Sequence, residues 1–223
     1  MKKILILILL FPSILFALDT DTQNWDVFTT VLTEGNNKYS LEIQPRIGSE
    51  VHHFEKLILR PSYGYTVAPE TTVWIGTGWF PTFLENQSEK RIDEYRIWEQ
   101  VTHDVKYPDL TLNNRLRLEH RLIEGESNAS NRLRYLLRGS VPFEKNDCFS
   151  YGVTSYDEIF ANIDNNRDRS RIGMDRNRTF VGGYYSQGVA RYELGYLADY
   201  GNGRDGKEDK LNNVILLAVG LNF

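Results

Sequence analysis

The segment "LTLNNRLRLEHRLIEG", residues 110–125, sets Arg115, Arg117, Glu119 and Arg121 on every second position, with Leu112, Leu116, Leu118 and Leu122 between them. A helix would spread those charges around its circumference. A period of two is the signature of a strand, with one face apolar and the other densely charged. Such a strand belongs in a sheet whose two faces meet different phases, so the question for the rest of the chain is which phases they are.

The N-terminus names the compartment. Lys2 and Lys3 precede an apolar run from Ile4 to Leu10 that resumes beyond Pro12 and ends at Phe16-Ala17. This is the pattern of a secretory signal peptide over residues 1–17, cleaved after Ala17, although Leu15 is bulkier than the small residue usual three positions before a cleavage point. A spanning helix needs about 20 apolar residues, and this run is shorter and interrupted by Pro12. Loss of Lys2 and Lys3 takes the formal net charge from −4 to −6. Cys148 is the sole cysteine, so an intramolecular disulfide is excluded, and no cysteine follows the signal to carry a lipid anchor. Residues 18–223 contain no Pro/Ser-rich linker or charge block and suit one domain. Mean hydropathy is −0.44, and no later stretch has the length of a spanning helix.

The opening pattern recurs along the chain. Tyr39–Ile47 alternates Leu41, Ile43 and Ile47 with Glu42, Gln44 and Arg46. Residues 54–65 set Leu57, Leu59, Tyr63 and Tyr65 against Lys56, Arg60, Ser62 and Gly64. Residues 71–79 set Val73, Ile75 and Trp79 against Gly76 and Gly78. Residues 94–105 set Tyr95, Ile97 and Val101 against Glu94, Arg96, Trp98 and Gln100, with Glu99 out of phase, a place for a bulge. Residues 131–141 set Leu133, Tyr135 and Leu137 against Arg132, Arg134 and Arg138. Further strands are expected at 148–160, 178–185, 189–200 and in the closing "NNVILLAVGLNF", whose Asn213, Ile215, Leu217, Val219, Leu221 and Phe223 share one face.

A soluble β-sandwich also alternates, but its polar faces meet water, where Lys, Thr and Ser should dominate. Here they are crowded with Arg and Glu, while the apolar faces are rich in Tyr, Leu and Val; the chain has 13 Tyr and 11 Phe, enough for two interfacial girdles. Backbone groups in a bilayer must all be paired, so an exported, strand-only chain with a lipid-compatible face has to close on itself. The expected fold is all-β, a transmembrane antiparallel β-barrel of 10–12 strands forming one domain.

A C-terminal strand of alternating apolar residues ending in Phe resembles the signal read by the bacterial outer-membrane insertion machinery, with Val219, Leu221 and Phe223 as its recognition row. The blocks "RPSYGY" (60–65), "EYRIWEQ" (94–100), "NRLRLEHR" (114–121), "RLRY" (132–135), "YDEIFAN" (156–162) and "ELGY" (193–196) resemble an outer-membrane family known as a domain of unknown function, family 2490. The resemblance spans most of the chain beyond the signal. It implies a barrel in the bacterial outer membrane and assigns no activity.

Eleven strands can be read, whereas a bacterial barrel with both termini on the periplasmic side needs an even number. Counting back from Phe223 puts the long linkers 201–211, 161–177 and 81–92 outside and short turns such as "SQG" and "VAPE" in the periplasm. The segment from Trp25 to Leu32 then runs the wrong way for a first strand, which leaves ten or twelve strands open.

The charged face must line the lumen. Arg46, Lys56, Arg60, Arg96, Arg115, Arg117, Arg121, Arg132, Arg134, Arg138, Arg178 and Arg191 supply twelve basic groups against Glu42, Glu94, Glu119, Glu158 and Glu193. Arginine stays charged, and its planar fork suits carboxylate, sulfate or phosphate. A narrow basic tube favours anions, so the leading expectation is a small anion-preferring channel. Arg115, Arg117 and Arg121 should stand beside Arg132, Arg134 and Arg138 on the next strand as a two-row basic ladder with like charges about 5 Å apart. Against it stands a barrel blocked by Arg–Glu pairs, closed and structural. An outer-membrane hydrolase is a third reading, but His52 and His53 fall in an expected loop, neither His103 nor His120 has a serine or carboxylate two residues away along its strand, and no catalytic residue is assigned. Asp164, Asn166, Asp168 and Asp175 match calcium-loop spacing, yet Arg169 stands where glycine is required, with Arg167 and Arg171 crowding the loop; a solvated loop is expected, with no metal or cofactor. Expected partners are outer-membrane lipid and lipopolysaccharide, the insertion machinery and small anionic solutes, and not nucleic acid.

Replacing Phe223 with Asp is expected to lower membrane assembly several-fold more than Asn202→Asp in the 201–209 linker. A pulse-chase protease-protection assay measures both; equal assembly would remove the last strand from the recognition role.

Overall fold

The structure, a computed structural model, describes residues 19–85, 90–165, 171–203 and 208–223; the expected signal peptide and the positions Asn166, Arg167, Asp168 and Arg169 lie outside the described residues. The described residues form an all-β barrel with no helix. Its strands are β1 (Asp19–Glu34), β2 (Asn37–Gly48), β3 (His53–Ala68), β4 (Thr71–Trp79), β5 (Thr82–Phe83), β6 (Arg91–Ile92), β7 (Glu94–Tyr107), β8 (Leu110–Ile123), β9 (Ser130–Lys145), β10 (Phe149–Asn162), β11 (Gly173–Gln187), β12 (Ala190–Gly201) and β13 (Lys210–Asn222). The two-residue β5 and β6 form a small ribbon in the linker between β4 and β7, and the other eleven strands are the staves. At about 3.3 Å per residue and a tilt near 40°, staves of 12 to 16 residues, as most of these are, reach across a hydrocarbon band about 25 Å tall.

All neighbouring staves pair antiparallel except at the seam, where β1 runs parallel to β13 from Asp19↔Lys210 to Val31↔Asn222. The parity argument therefore fails. Eleven is the number of staves, and Trp25 to Leu32 crosses in full. What hydrocarbon demands is that every edge be paired, and a parallel ladder meets that demand with slanted, evenly spaced bonds. A consequence is that Asp19 and Phe223 lie at opposite ends. Short turns at Gly35-Asn36, Pro69-Glu70, Pro108-Asp109, 146–148 and Gly188-Val189 gather with Phe223 at one end, and the longer linkers gather at the other. Phe223 is held there from both sides of its peptide: its N–H donates to the Val31 carbonyl and its own carbonyl accepts from Thr33 N–H, each at 2.9 Å.

The alternation read from the sequence separates outside from inside. Outward rows carry Ile43, Tyr63, Ile75, Ile97, Leu116, Tyr135, Val153, Val181, Leu194 and Ile215, all at least 38 % exposed. Tyr39 with Tyr63, and Phe149 with Tyr151 and Tyr185, form ring contacts that thicken the turn-end girdle. The outward row of β13 runs through Ile215, Leu217, Val219, Leu221 and Phe223 as expected. Glu99 makes no bulge: the pairing of β7 with β4 and β8 is unbroken through it, and its side chain points outward with Ile97 and Val101.

The interior is a packed core. On the side of β9 to β13 and β1, Trp25, Leu136, Tyr156, Phe180, Leu197, Val214 and Leu216 form one buried apolar cluster. On the side of β3 and β4, glycines make room for large rings: a Cβ on Gly76 would lie 2.3 Å from the Trp98 ring, and one on Gly78 2.6 Å from Phe80. Gly76→Val should therefore force Trp98 aside at a cost of about 1–3 kcal/mol. Gly183→Ala, on an outward strand position with 3.8 Å to its nearest neighbour, should be close to neutral. The urea midpoint of the refolded barrel, followed by its heat-modifiable gel band, measures the difference.

Candidate functional site

The eleven residues expected to line the lumen, Arg60, Arg96, Arg115, Arg117, Glu119, Arg121, Arg132, Arg134, Arg138, Arg178 and Arg191, all project into the interior, and none is exposed. The arrangement differs from a basic ladder. Hairpin register sets Arg117 opposite Arg134, but Glu119 faces Arg132, Arg121 faces Ser130, Arg115 faces Leu136 and Arg138 faces Asn113. Only one rung pairs like charges, because the arginines of β8 and β9 are offset along their strands.

Glu119 organises what the ladder would have been. It is fully buried, and its carboxylate meets four guanidinium groups. Arg134 Nη1 donates to Oε1, Arg132 Nη2 to Oε2 at 2.7 Å, Arg96 Nη1 to Oε2 at 3.5 Å, and Arg117 Nη1 stands 3.7 Å from Oε1. Each arginine is shared with a second acceptor. Arg96 Nε and Arg121 Nε both donate to Glu94 Oε1, at 2.7 and 2.6 Å, and Arg134 and Arg115 converge on Glu158 Oε1 at 2.6 Å each. Buried charges are tolerated only when paired and hydrogen-bonded, and this bridging gives each carboxylate at least two cations.

The rest of the guanidinium surface lies on aromatic rings: Arg96 on Phe80 (3.8 Å), Arg117 on Trp98 (4.2 Å), Arg134 on Phe160 (4.3 Å) and Arg46 on Trp25 (3.5 Å). Arg178 lies 4.8 Å from both Phe160 and Trp25 and so links β10 to β1 across the apolar side. The chain of contacts from Arg46 through Trp25, Arg178, Phe160, Arg132, Glu119, Arg96 and Phe80 to Arg60 runs around the whole interior as one layer.

Asp199, Arg176 and Asp175 are charged interior groups that the sequence reading did not place in the lumen. Asp199 is fully buried and accepts from Arg178 Nε (2.8 Å) and Arg176 Nη1 (2.6 Å), and Asp175 accepts from Arg132 Nη1 (3.1 Å). Asp199 shares the alternation phase of Arg191 and Glu193, so the signal was present. Asp175 sits beside a register shift between Phe160 and Ala161, which period two cannot reveal. The calcium-loop candidates Asp164 and Asp175 bind protein groups: Asp164 takes the Asn131 backbone N–H and side-chain amide, at 2.7 and 2.6 Å. Among the described residues no group of three His, Cys, Asp or Glu side chains is placed to hold a metal ion.

Toward the turn end the interior is hollow. A cavity of about 650 Å³ is lined by Arg115, Arg138, Arg191, Lys145, Ser140 and Tyr184 among others, and a second of about 170 Å³, sharing Arg115 and Gln100 with it, reaches Arg117, Arg60, Glu42 and Trp98. Arg138 and Arg191 share the one carboxylate of Glu193, at 2.9 and 2.7 Å. Arg115 Nε and Arg117 Nη1 are buried and have no hydrogen-bond acceptor among the described residues. A cup so lined offers donors in excess of acceptors, the chemistry that receives a carboxylate or an oxyanion.

The histidines are dispersed. His53 Nε2 lies 2.9 Å from the Phe83 carbonyl, and His103 Nδ1 lies 2.9 Å from Thr71 Oγ1 near the turn end. His120 does have a carboxylate partner, Glu99, at 3.3 Å from Nε2; it stands on the neighbouring strand, where a search along one strand does not look.

Comparison with known proteins agrees with this architecture. LpxR from Salmonella typhimurium matches in fold with a TM-score of 0.50 over 82 % of this chain and 83 % of that one, at 8 % identity. An uncharacterised protein of Methylorubrum extorquens is 27 % identical over 182 residues, 79 % of this chain and 77 % of the relative. The model of the protein family of unknown function DUF2490 matches residues 22–210, and the chain belongs to that family.

Proposed function

We propose that this protein is an outer-membrane barrel that takes small anionic solutes into a basic cup at its turn end, with the lumen shut at rest by the layer around Glu119. The observation that carries the reading is the unequal filling of the interior. The side chains of Phe80, Phe160, Phe180 and Trp25 are at most 2 % exposed, whereas the half toward the turns holds the 650 Å³ cavity with Arg115, Arg138, Arg191 and Lys145 in its lining. In the orientation expected from the short turns and Phe223, the cup opens to the periplasm. An anion preference follows from the lining, since Arg115, Arg138, Arg191 and Lys145 outnumber Asp104, the carboxylate of the lining, together with Glu158 and Glu193, with which they pair. Conduction across the membrane then requires the layer to part, which distinguishes a gated anion path from a permanently open one.

Planar-bilayer recording of refolded protein tests this. The wild type should pass few or no discrete steps. Glu119→Ala leaves four guanidinium groups facing one another, at a cost on the order of 3–5 kcal/mol for a broken buried pair, and should open the layer to give steps with an anion-selective reversal potential in a salt gradient. Steady wild-type conductance would overturn the resting closure, and a cation-selective variant would overturn the basic cup.

A further inference from the structure

The outward face of β7 to β9 carries polar side chains where lipid should be met. Glu99 on β7 and His120 on β8 are half exposed, at 52 % and 40 % of their side-chain surface, and lie 3.3 Å apart across the diagonal of the pairing Ile97↔His120 and Glu99↔Leu118. His120 Nδ1 lies 2.6 Å from Asn131 Oδ1 on β9, and Asn131 Nδ2 donates to Asp164 Oδ2 at 2.6 Å in the linker beyond β10. A continuous polar track thus descends from the loop end into the wall of the barrel. Leu116, Leu118, Val101, Leu133 and Tyr135 surround its lower end.

The track cannot be moved out of the membrane by sliding the barrel. With a rise of about 3.3 Å per residue and a tilt near 40°, a hydrocarbon band about 25 Å tall covers about ten residues of a strand. β7 has 14 residues, and any ten consecutive ones include Glu99. A carboxylate on the lipid face is costly and marks a functional site unless it is fully partnered.

The hydrogen bonds say what kind of partner is needed. Asp164 accepts from the Asn131 amide nitrogen, so the amide oxygen must face His120, and His120 Nδ1 must be its N–H donor. Nε2 then faces the Glu99 carboxylate, where a proton has to lie between them. This uses Glu99 Oε2; Glu99 Oε1 has no hydrogen-bond partner among the described residues. A carboxylate can accept about four hydrogen bonds, and on a face turned toward the bilayer a lipid headgroup bearing an N–H or O–H is the donor at hand.

We propose that the track from Asp164 to Glu99 seats a single membrane lipid that brings a hydrogen-bond donor to Glu99: an ammonium group, or the hydroxyl or amide N–H of an amino-sugar lipid. The lipid's polar end meets Glu99 and His120, its acyl chains run down over Leu118, Leu116 and Val101, and Asn131 and Asp164 hold the imidazole in register. This site lies outside the barrel and does not depend on whether the interior binds anions.

The test refolds the protein into phosphatidylcholine vesicles, whose headgroup has no N–H or O–H donor, doped with phosphatidylethanolamine or with lipopolysaccharide, and reads retained lipid by native mass spectrometry after extraction. The wild type should retain one of the two donor lipids at least tenfold over phosphatidylcholine, and which one identifies the source. The double variant Glu99→Leu and His120→Leu should lose that preference while keeping its heat-modifiable band. Should it fail to fold, the wild-type competition decides alone. Equal retention of phosphatidylcholine by the wild type, or undiminished preference in a folded double variant, would overturn the proposal. So would a wild-type dimer that the double variant converts to monomer, because a second copy of the chain would then cover the track.

Discussion

Everything in this molecule answers to the rule that no backbone N–H or C=O can be left unpaired in hydrocarbon. The chain meets it with eleven staves and one parallel joint between β1 and β13. An antiparallel joint would have required both ends of the sheet to run in opposite directions, hence an even number of crossings. The parallel joint removes that condition, and its cost is small, since parallel ladders are only slightly less stable per residue. Once the sheet is closed, the period of two forces half of every stave inward, and the inward half must be chosen to suit whatever volume eleven strands enclose.

That volume is too wide for aliphatic layers alone and too narrow to be left as an aqueous bore of the kind larger barrels enclose. The filling solves the problem with length. Arginine reaches further than leucine, and its flat guanidinium can lie on an aromatic ring while its edge donates to a carboxylate. Arg96 does both at once, on Phe80 and with Glu94 and Glu119. Glu94, Glu119, Glu158, Glu193 and Asp199 each serve two or more bases, so a few carboxylates hold many arginines together, and the acids are not spread evenly between the two ends of the lumen. Glu94, Glu119, Asp175 and Asp199 are concentrated toward the loop end, whereas the turn end has Glu193, shared between Arg138 and Arg191, and Asp104, which accepts from Asn113.

Much of the fold was legible in residues 110–125 and their repeats, because side-chain direction in a strand depends on nothing but position parity. The extent of Thr71–Trp79 and the inward direction of every arginine named for the lumen followed from that alone. What parity cannot convey is register, and each shortfall comes from there. The ladder of Arg115, Arg117 and Arg121 against Arg132, Arg134 and Arg138 dissolved into one like-charged rung because β8 and β9 are offset. Glu99 looked like a bulge because its partner, His120, is on the next strand. The parallel seam was invisible because the direction of a strand is a property of the whole circuit.

The same dependence explains why so ionic an interior is compatible with a unique structure. A slip of one residue between β8 and β9 would turn Arg132 and Arg134 toward lipid and leave Glu119 buried with only Arg96 and Arg117 of its four cations. Breaking a buried pair on one side costs about 3–5 kcal/mol, and the slip would break the pairs of Arg132 and Arg134 with Glu119 and of Arg134 with Glu158 together, so a slipped register is penalised more than once. An apolar filling of equal volume could be as stable, but it would penalise a slip far less, because Leu turned outward is welcome in lipid. In a soluble protein the hydrophobic face sets the register. In this barrel the lipid accepts any apolar row, and the task passes to the charges inside.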